Sequence, residues 1–322
     1  MRNVTYIRAL NEAIAEEMTR DEAVFVIGED VADCGGVFGV TAGMMKRFGR
    51  ERVRQTPISE AAFTGLAVGA AMAGLRPICE IMYVDFSTTC MDQILNQAAK
   101  LRYMSGGQVT VPLVIRAQQG SGTREAAQHS QNFEAIFAHV PGMKVAMPST
   151  PYDAKGLLKS AIRDDNPVIF LEHRLLYEVK RDMPRGEYVV PFGEADVKRE
   201  GMDVTVVATS MMVLRALEAA ESLASEISVE VIDPRTIVPL DFDAIAASVR
   251  KTGRLVVAQE AWTSGGFGGE IVRRVCEECF DALQAPPKVV GSADVPMPFS
   301  PPLEEAVLPD ADDVADAVRA VA

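Results

Sequence analysis

The chain has 322 residues, room for about two domains, and its 48% hydrophobic and 24% charged residues suit a globular protein with a substantial core. Its formal net charge is −13, and no block of Lys or Arg provides the positive field that nucleic acid or an anionic membrane needs, so neither is expected as a partner. No stretch reaches the ~18 uninterrupted apolar residues of a membrane span. The segment Met1 to Tyr6 lacks a signal peptide's apolar core, and five cysteines are an odd number for a disulfide framework, so a reduced, cytoplasmic protein is expected.

Tyr6 to Met18 reads as an amphipathic helix with Ile7, Leu10, Ile14 and Met18 on one face. Val24 to Ile27 is a short apolar run ending in Gly28-Glu29-Asp30, the profile of a buried parallel strand and its exit loop. Thr56-Pro57-Ile58-Ser59-Glu60 leads into a helix of small and apolar residues that runs to Gly74. Pro77 to Met82 reads as a strand, and Thr88 to Met104 as one long helix, with Met91, Ile94, Leu95, Ala98 and Leu101 at helical spacing. Val111 to Arg116 is a further strand, followed by a polar, glycine-bearing loop from Gln118 to Gln131. Lys144 to Met147, a helix from Tyr152 to Arg163, and Val168 to Leu171 extend the alternation.

Between Glu178 and Glu200 the pattern lapses into charges, Pro184, Gly186 and Pro191, which reads as a linker. The alternation then restarts with strands at Val204 to Ala208, Val229 to Asp233 and Leu255 to Ala258, and helices at Val213 to Ser225 and Gly265 to Leu283. The expected architecture is α/β. A parallel-sheet N-terminal domain spans residues 1–185, and a smaller C-terminal α/β domain spans 186–322.

Glu60 is the most informative residue. A carboxylate stands where an extended segment becomes a helix with no long side chains to shield it, so the helix must pack backbone-close and its first residue lies in a dry interface. A glutamate in such a place has a raised pKa and can hold or share a proton near neutrality. The plainer reading is a helix-start acid favoured by the macrodipole, with Ser59 as N-cap. Three other signals carry little chemistry. Cys276-Glu277-Glu278-Cys279 sits inside a helical pattern with no second Cys or His pair, so a metal site is not expected there. Gly265 to Glu270 fits a dinucleotide fingerprint only loosely, and Asp233 reads as ordering the Pro234-Arg235 turn.

Taken together, these segments resemble the beta subunits of the first component of 2-oxo acid dehydrogenase complexes, a transketolase-like family that includes pyruvate, branched-chain 2-oxo acid and acetoin dehydrogenases. The resemblance is carried by Thr56 to Glu60 with its small-residue helix, Gly28-Glu29-Asp30 and Val84-Asp85-Phe86. Asp92 to Lys100, Ala127-Gln128-His129-Ser130-Gln131, Val231 to Thr236 and Pro298-Phe299-Ser300 add to it, so that it covers nearly the whole chain. It implies that the N-terminal domain binds the pyrimidine of thiamine diphosphate and that the second domain is like the transketolase C-terminal domain.

The resemblance also implies residue roles. Glu60 hydrogen-bonds a pyrimidine nitrogen and holds the proton that favours the cofactor's imino form, Ile58 offers its carbonyl to the pyrimidine amine, and Phe86 packs on the ring. Glu29, at a strand end, joins a proton path. His129 lines the channel of the lipoyl group and moves a proton to it, while His139 and His173 read as structural. A structural potassium ion is implied at backbone carbonyls of Leu113, Ala161, Ile162, Asp164 and Asn166, where a helix end leaves carbonyls without donors. Thr123-Arg124-Glu125 departs from the pattern, standing where glycine and small apolar residues are common.

The magnesium-holding Gly-Asp-Gly and asparagine motif is absent from the sequence. The resemblance assigns magnesium and the diphosphate to an alpha subunit, making the active site one between chains of an alpha-two, beta-two heterotetramer docked on a lipoyl acyltransferase core. The expected reaction is cleavage of acetoin or pyruvate with transfer to lipoamide. A branched-chain 2-oxo acid, a self-sufficient transketolase-type enzyme, and a non-catalytic scaffold subunit are the alternatives.

Overall fold

The computed structural model describes all 322 residues, Met1 to Ala322. They fall into two compact units, one of Met1–Gln119 with Ile136–Phe192, the other of Gly120–Ala135 with Gly193–Ala322. The expected division at residue 185 thus lies near the observed one at Phe192, but Gly120–Ala135 counts with the second unit.

The first unit contains strands β1 (Arg2–Thr5), β2 (Val24–Gly28), β3 (Val53–Gln55), β4 (Arg76–Ile81), β5 (Val114–Gln119), β6 (Lys144–Ala146), β7 (Val168–His173) and β8 (Lys180–Met183). Its helices include α1 (Tyr6–Arg20), α2 (Met44–Phe48), α3 (Glu60–Met72), α4 (Leu101–Met104), a short α5 beginning at Glu134 (Glu134–Ala138), and α6 (Pro151–Arg163). The main sheet runs β6-β7-β5-β4-β2-β3 and is parallel throughout. Strands β2, β5 and β7 are buried along their whole length, and in β2 and the first four residues of β7 this gives continuous apolar runs rather than alternations. Thr5 starts α1 by accepting from the Arg8 amide at 3.3 Å, and Thr150 caps α6 ahead of Pro151 in the same way.

Three elements differ from the sequence reading. The helix expected over Thr88 to Met104 is a 3₁₀ turn at Val84–Cys90, a π-helix at Asp92–Ala98 and then α4. The Ala99 carbonyl is turned out against Gly142, where a Cβ would lie 2.1 Å from that oxygen, so the helix ends there whatever its apolar spacing. The strand expected from Val111 begins instead at Val114 and runs on to Gln119, because Pro112 has no N–H for a ladder. The expected linker contains β8, which pairs antiparallel with β1. Four residues are too few to display a period of two.

The second unit holds β9 (Asp196–Arg199), β10 (Val204–Ala208), β11 (Val229–Asp233), β12 (Thr236–Val238), β13 (Leu255–Trp262) and β14 (Lys288–Ser292), with helices α7 (Met212–Ser222), α8 (Phe242–Thr252), α9 (Gly268–Glu278), α10 (Pro301–Val307) and α11 (Ala311–Arg319). Its sheet, β14-β13-β10-β11-β9, is parallel except for β9. α7 and α11 cover one apolar cluster and α8 and α9 another, giving the layered α/β arrangement expected. The helix expected from Gly265 starts at Gly268, since a Cβ at Gly266 would meet the Gln259 amide at 1.8 Å and the approach turn needs glycine. Asp233 accepts from the Arg235 amide at 2.8 Å and orders the turn as expected.

One ion cluster sits inside the first sheet. Arg116 of β5, with no exposed surface, donates from Nε and NH2 to Glu172 at 2.6 and 2.8 Å and from NH1 to Glu80 at 2.6 Å. The Tyr177 hydroxyl donates to Glu172 at 2.6 Å. Burial pushes Glu172 above the usual carboxylate range, against the pull of Arg116. Removing one member of such a cluster strands the others. Arg116→Met should lower stability by about 3–5 kcal/mol, read as a fall in the thermal unfolding midpoint. The deficit should be smallest in acid, because carboxylates with raised pKa favour the folded state once protonated and penalise it as pH rises. An unchanged midpoint at neutral pH would contradict this role for Arg116.

Candidate functional site

In a parallel α/β sheet, ligands gather at the carboxyl ends of the strands. Here β3, β2 and β4 are neighbours, and each runs straight into one of the expected residues. β3 ends at Gln55 and leads through Thr56 to Glu60, β2 ends at Gly28 and gives Glu29, and β4 ends at Ile81 and leads to Phe86. The sheet therefore brings Glu29, Glu60 and Phe86 to one edge.

The sharp turn after β2 depends on Gly28, whose φ is +158° and where a Cβ would come within 2.8 Å of the Glu80 carbonyl. Glu60 is the first residue of α3 and is half-buried. Ser59 precedes it in the capping position but makes no side-chain capping bond, so the plainer role for Ser59 is not seen. The 3₁₀ turn carrying half-buried Phe86 packs against α3, where the Thr64 hydroxyl lies 3.9 Å from the Cys79 sulfur.

The electrostatics join these elements. Desolvation first, then the charge of Glu60, and then that of Asp30 raise Glu29 above the usual carboxylate range. Burial likewise pushes the Cys90 thiol up to about 11, with Glu60 adding to the effect. Glu29 thus feels the charge of Glu60 across the edge. Glu29 Oε1 and Thr56 Oγ1 are buried and have no hydrogen-bond partner in the chain. Buried polar atoms of this kind call for a polar ligand or water, so the residues fit a group presenting its own donors and acceptors at this edge. Ile58 is 82% exposed, an apolar side chain left outside the chain's own core.

One face of α3 is also uncovered. Ala61, Ala62, Leu66, Gly69, Met72 and Ala73 are exposed, while Phe63, Thr64, Ala67, Val68 and Ala71 are buried. Within this chain the small-residue helix is therefore backbone-close to its surroundings on one side only.

Gln118 was not singled out by the sequence. It stands near the carboxyl end of β5, fully buried, with both amide atoms lacking partners. Its signal is a polar residue at the end of an apolar strand, which looked like the start of a loop.

His129 belongs to the second unit with the loop Gly120–Ala135. It is half-buried, and its amide donates to the Ala126 carbonyl at 3.4 Å. His173 is buried and its Nδ1 accepts from the Leu175 amide at 3.2 Å, while His139 is exposed on the surface. Cys276 and Cys279 are free thiols, and no cluster of His, Cys, Asp or Glu could hold a metal ion.

The α6 end is already supplied with cationic donors. Arg76 donates to the carbonyls of Ile162 at 2.8 Å and Asp164 at 2.6 Å, and the Lys144 ammonium pairs with the Asp164 carboxylate. The Leu113 carbonyl accepts from the Val168 amide at 2.9 Å, and that of Ala161 from the Asp164 amide at 3.3 Å. Asn166 is held to Asp164 by two 2.8 Å bonds. Bonds join Asp164 to Ala161 and Asn166, and one guanidinium serves the carbonyls of Ile162 and Asp164.

Residues 2–180 match the family described as transketolase, pyrimidine binding domain, and residues 193–314 match transketolase, C-terminal domain. The chain is 50% identical to acetoin:2,6-dichlorophenolindophenol oxidoreductase subunit beta of Cupriavidus necator, covering 97% of this chain and 95% of that one. It is also 50% identical to pyruvate dehydrogenase E1 component subunit beta of Rickettsia felis, over 99% and 98% of the two chains. With 2-oxoisovalerate dehydrogenase subunit beta of Bacillus subtilis it shares 47%, over 99% and 98%. Among solved structures, a split-gene transketolase described as an inactive beta4 tetramer superposes with a TM-score of 0.81 at 25% identity, over 99% and 98% of the chains.

The raised Glu29 has a consequence for stability. A carboxylate with raised pKa penalises the folded state once pH exceeds its ordinary value, and glutamine carries no such penalty. Glu29→Gln should raise the unfolding temperature of the ligand-free chain at neutral pH by about 1–2 °C, and the gain should vanish in acid below the ordinary carboxylate range. A gain that persisted there would show that charge is not its cause.

Proposed function

Because the chain belongs to the transketolase-like beta subunits of 2-oxo acid and acetoin dehydrogenases, we propose that it is the pyrimidine-binding, catalytic half of a thiamine-diphosphate-dependent oxidoreductase. One observation carries the reading. Glu29 and Glu60 leave neighbouring parallel strands, the charge of Glu60 helps to hold Glu29 above the usual carboxylate range, and Glu29 Oε1 and Thr56 Oγ1 are buried with no partner in the chain.

The bound cofactor supplies a nucleophilic carbon and an electron sink for cleaving the bond next to a carbonyl. This chain's residues then have four tasks. Glu60 holds a proton against a pyrimidine ring nitrogen, and its half-buried place at the start of α3 removes part of the water that would compete. Glu29 takes or returns that proton, because two neighbouring carboxylates share one proton more readily than they carry two charges. Phe86 offers a flat face for stacking on the ring, and the Ile58 carbonyl accepts from its exocyclic amine. His129 delivers a proton to the departing sulfur of a lipoyl group, a step suited to an imidazole, which can both take up and give a proton.

Magnesium and the diphosphate belong to an alpha subunit in this reading, since the sequence has no Gly-Asp-Gly motif for them. The assembly is an alpha-two, beta-two heterotetramer serving a lipoyl acyltransferase core. The uncovered face of α3 agrees with a site completed by another chain. A structural potassium ion fits the α6 end only in part, because Arg76 already serves Ile162 and Asp164 there. Acetoin, pyruvate and 2-oxoisovalerate are named by relatives at 50, 50 and 47% identity, a spread too small to rank the substrates.

The test is turnover by the chain co-expressed with its alpha subunit on those three substrates, beside the Glu60→Gln variant. One substrate should be turned over, and Glu60→Gln should assemble normally while losing activity by about 10²–10⁴-fold. Full turnover by an assembled Glu60→Gln enzyme would leave the chain a scaffold.

A further inference from the structure

The loop that carries His129 is clamped by carboxylates of its own unit. At its base, Gly120 N donates to the Gln131 carbonyl at 3.3 Å and Ser121 Oγ to the Ser130 carbonyl at 2.9 Å. Glu260, near the end of β13, accepts from Ser121 N at 2.8 Å and Asn132 Nδ2 at 3.2 Å. Further along, Glu304 of α10 accepts from Gly122 N at 2.9 Å, Arg124 N at 3.3 Å and Arg124 NH1 at 2.6 Å. Arg124 NH2 reaches Glu305 at 2.7 Å.

Glu304 has no exposed surface. A buried carboxylate is tolerated only with full hydrogen bonding and a counter-charge, and every donor named here comes from the loop. Arg124 itself has φ +65° and Ala126 φ +61°, a left-handed conformation that a residue with a side chain adopts only when its surroundings impose it. Glu304 imposes it by gripping both the amide and the guanidinium of Arg124. Ala126 is the residue whose carbonyl receives the His129 amide, at 3.4 Å.

We propose that Arg124 and Glu304 are positioning residues. Their ion pair fixes the backbone from Gly122 to Ala126 and thereby sets where His129 presents its imidazole to an incoming acyl acceptor. Glu305 steadies the exposed side of the guanidinium, and Glu260 holds the loop's base. The two charges of Thr123-Arg124-Glu125, which depart from the family pattern, are then a replacement for flexibility: a guanidinium fork locks what a glycine leaves free. This rests on the lipoyl role of His129 proposed above.

The test uses the chain assembled with its alpha subunit and two readouts: amide hydrogen exchange across residues 120–132, and the ratio of lipoamide-linked to dye-linked turnover. In Arg124→Ala, exchange at the Gly122 and residue-124 amides should quicken about tenfold or more, and the ratio should fall about tenfold. Arg124→Lys, which keeps the charge but not the fork, should recover much of both. His129→Ala should lower the ratio with no change in exchange. Unchanged exchange in Arg124→Ala would overturn the clamp, and quicker exchange with an unchanged ratio would overturn its positioning role. An unchanged ratio in His129→Ala would instead overturn the assignment of His129, and the positioning role with it, however the loop behaves.

Discussion

The proposed site rests on two carboxylates delivered to one edge of a parallel sheet. Glu29 and Glu60 leave adjacent strands of that sheet, and burial together with the charge of Glu60 raises the pKa of Glu29. That arrangement follows from topology: β2 and β3 are parallel neighbours, so both of their exits open on the same edge. The glycine-dependent turn at Gly28 sets Glu29 one residue past β2, and the segment from Thr56 to the start of α3 sets Glu60 five residues past β3. Glu29 Oε1 and Thr56 Oγ1, buried there without partners, leave hydrogen bonding for a ligand or water to complete.

The rest of the first unit supports that edge. Arg116 ties β4, β5 and β7 together from within the sheet through Glu80 and Glu172. Glu80 also lies under the turn that delivers Glu29, since its carbonyl is the atom a side chain at position 28 would strike. From Tyr177, hydrogen-bonded to Glu172, ring contacts run through Phe38 to Tyr83, with centroids 5.6 Å apart at each step. Tyr83 immediately precedes the turn that carries Phe86. A buried ion cluster is poor at adding stability but good at fixing register, and here it fixes the strands and turns from which the site residues emerge.

Much of this was legible in the amino-acid order. Fully buried parallel strands announce themselves as apolar runs such as Val24 to Ile27 and Val168 to Leu171, and both are strands. The position of Glu60 at a helix start could be read because Ala, Gly and Thr beyond it leave little else for the segment to be. What stayed hidden was set by contacts distant in sequence. The break near Ala99 needs Gly142, the strand at Lys180 needs Arg2 to Thr5, and Gln118 looked like a loop residue because nothing local says that it is buried. The grip of Glu304 on Arg124 spans 180 residues, so the Thr123-Arg124-Glu125 departure could be noticed in the sequence but not explained by it.

The central claim is that Glu60 supplies the proton held at the bound pyrimidine. Calorimetry of thiamine diphosphate binding to the assembled enzyme, repeated in buffers of different ionisation enthalpy, counts the protons exchanged on binding. The account predicts a pH-dependent proton exchange in the native enzyme that disappears in Glu60→Gln, while the diphosphate is still bound. The same proton count in both proteins would contradict it.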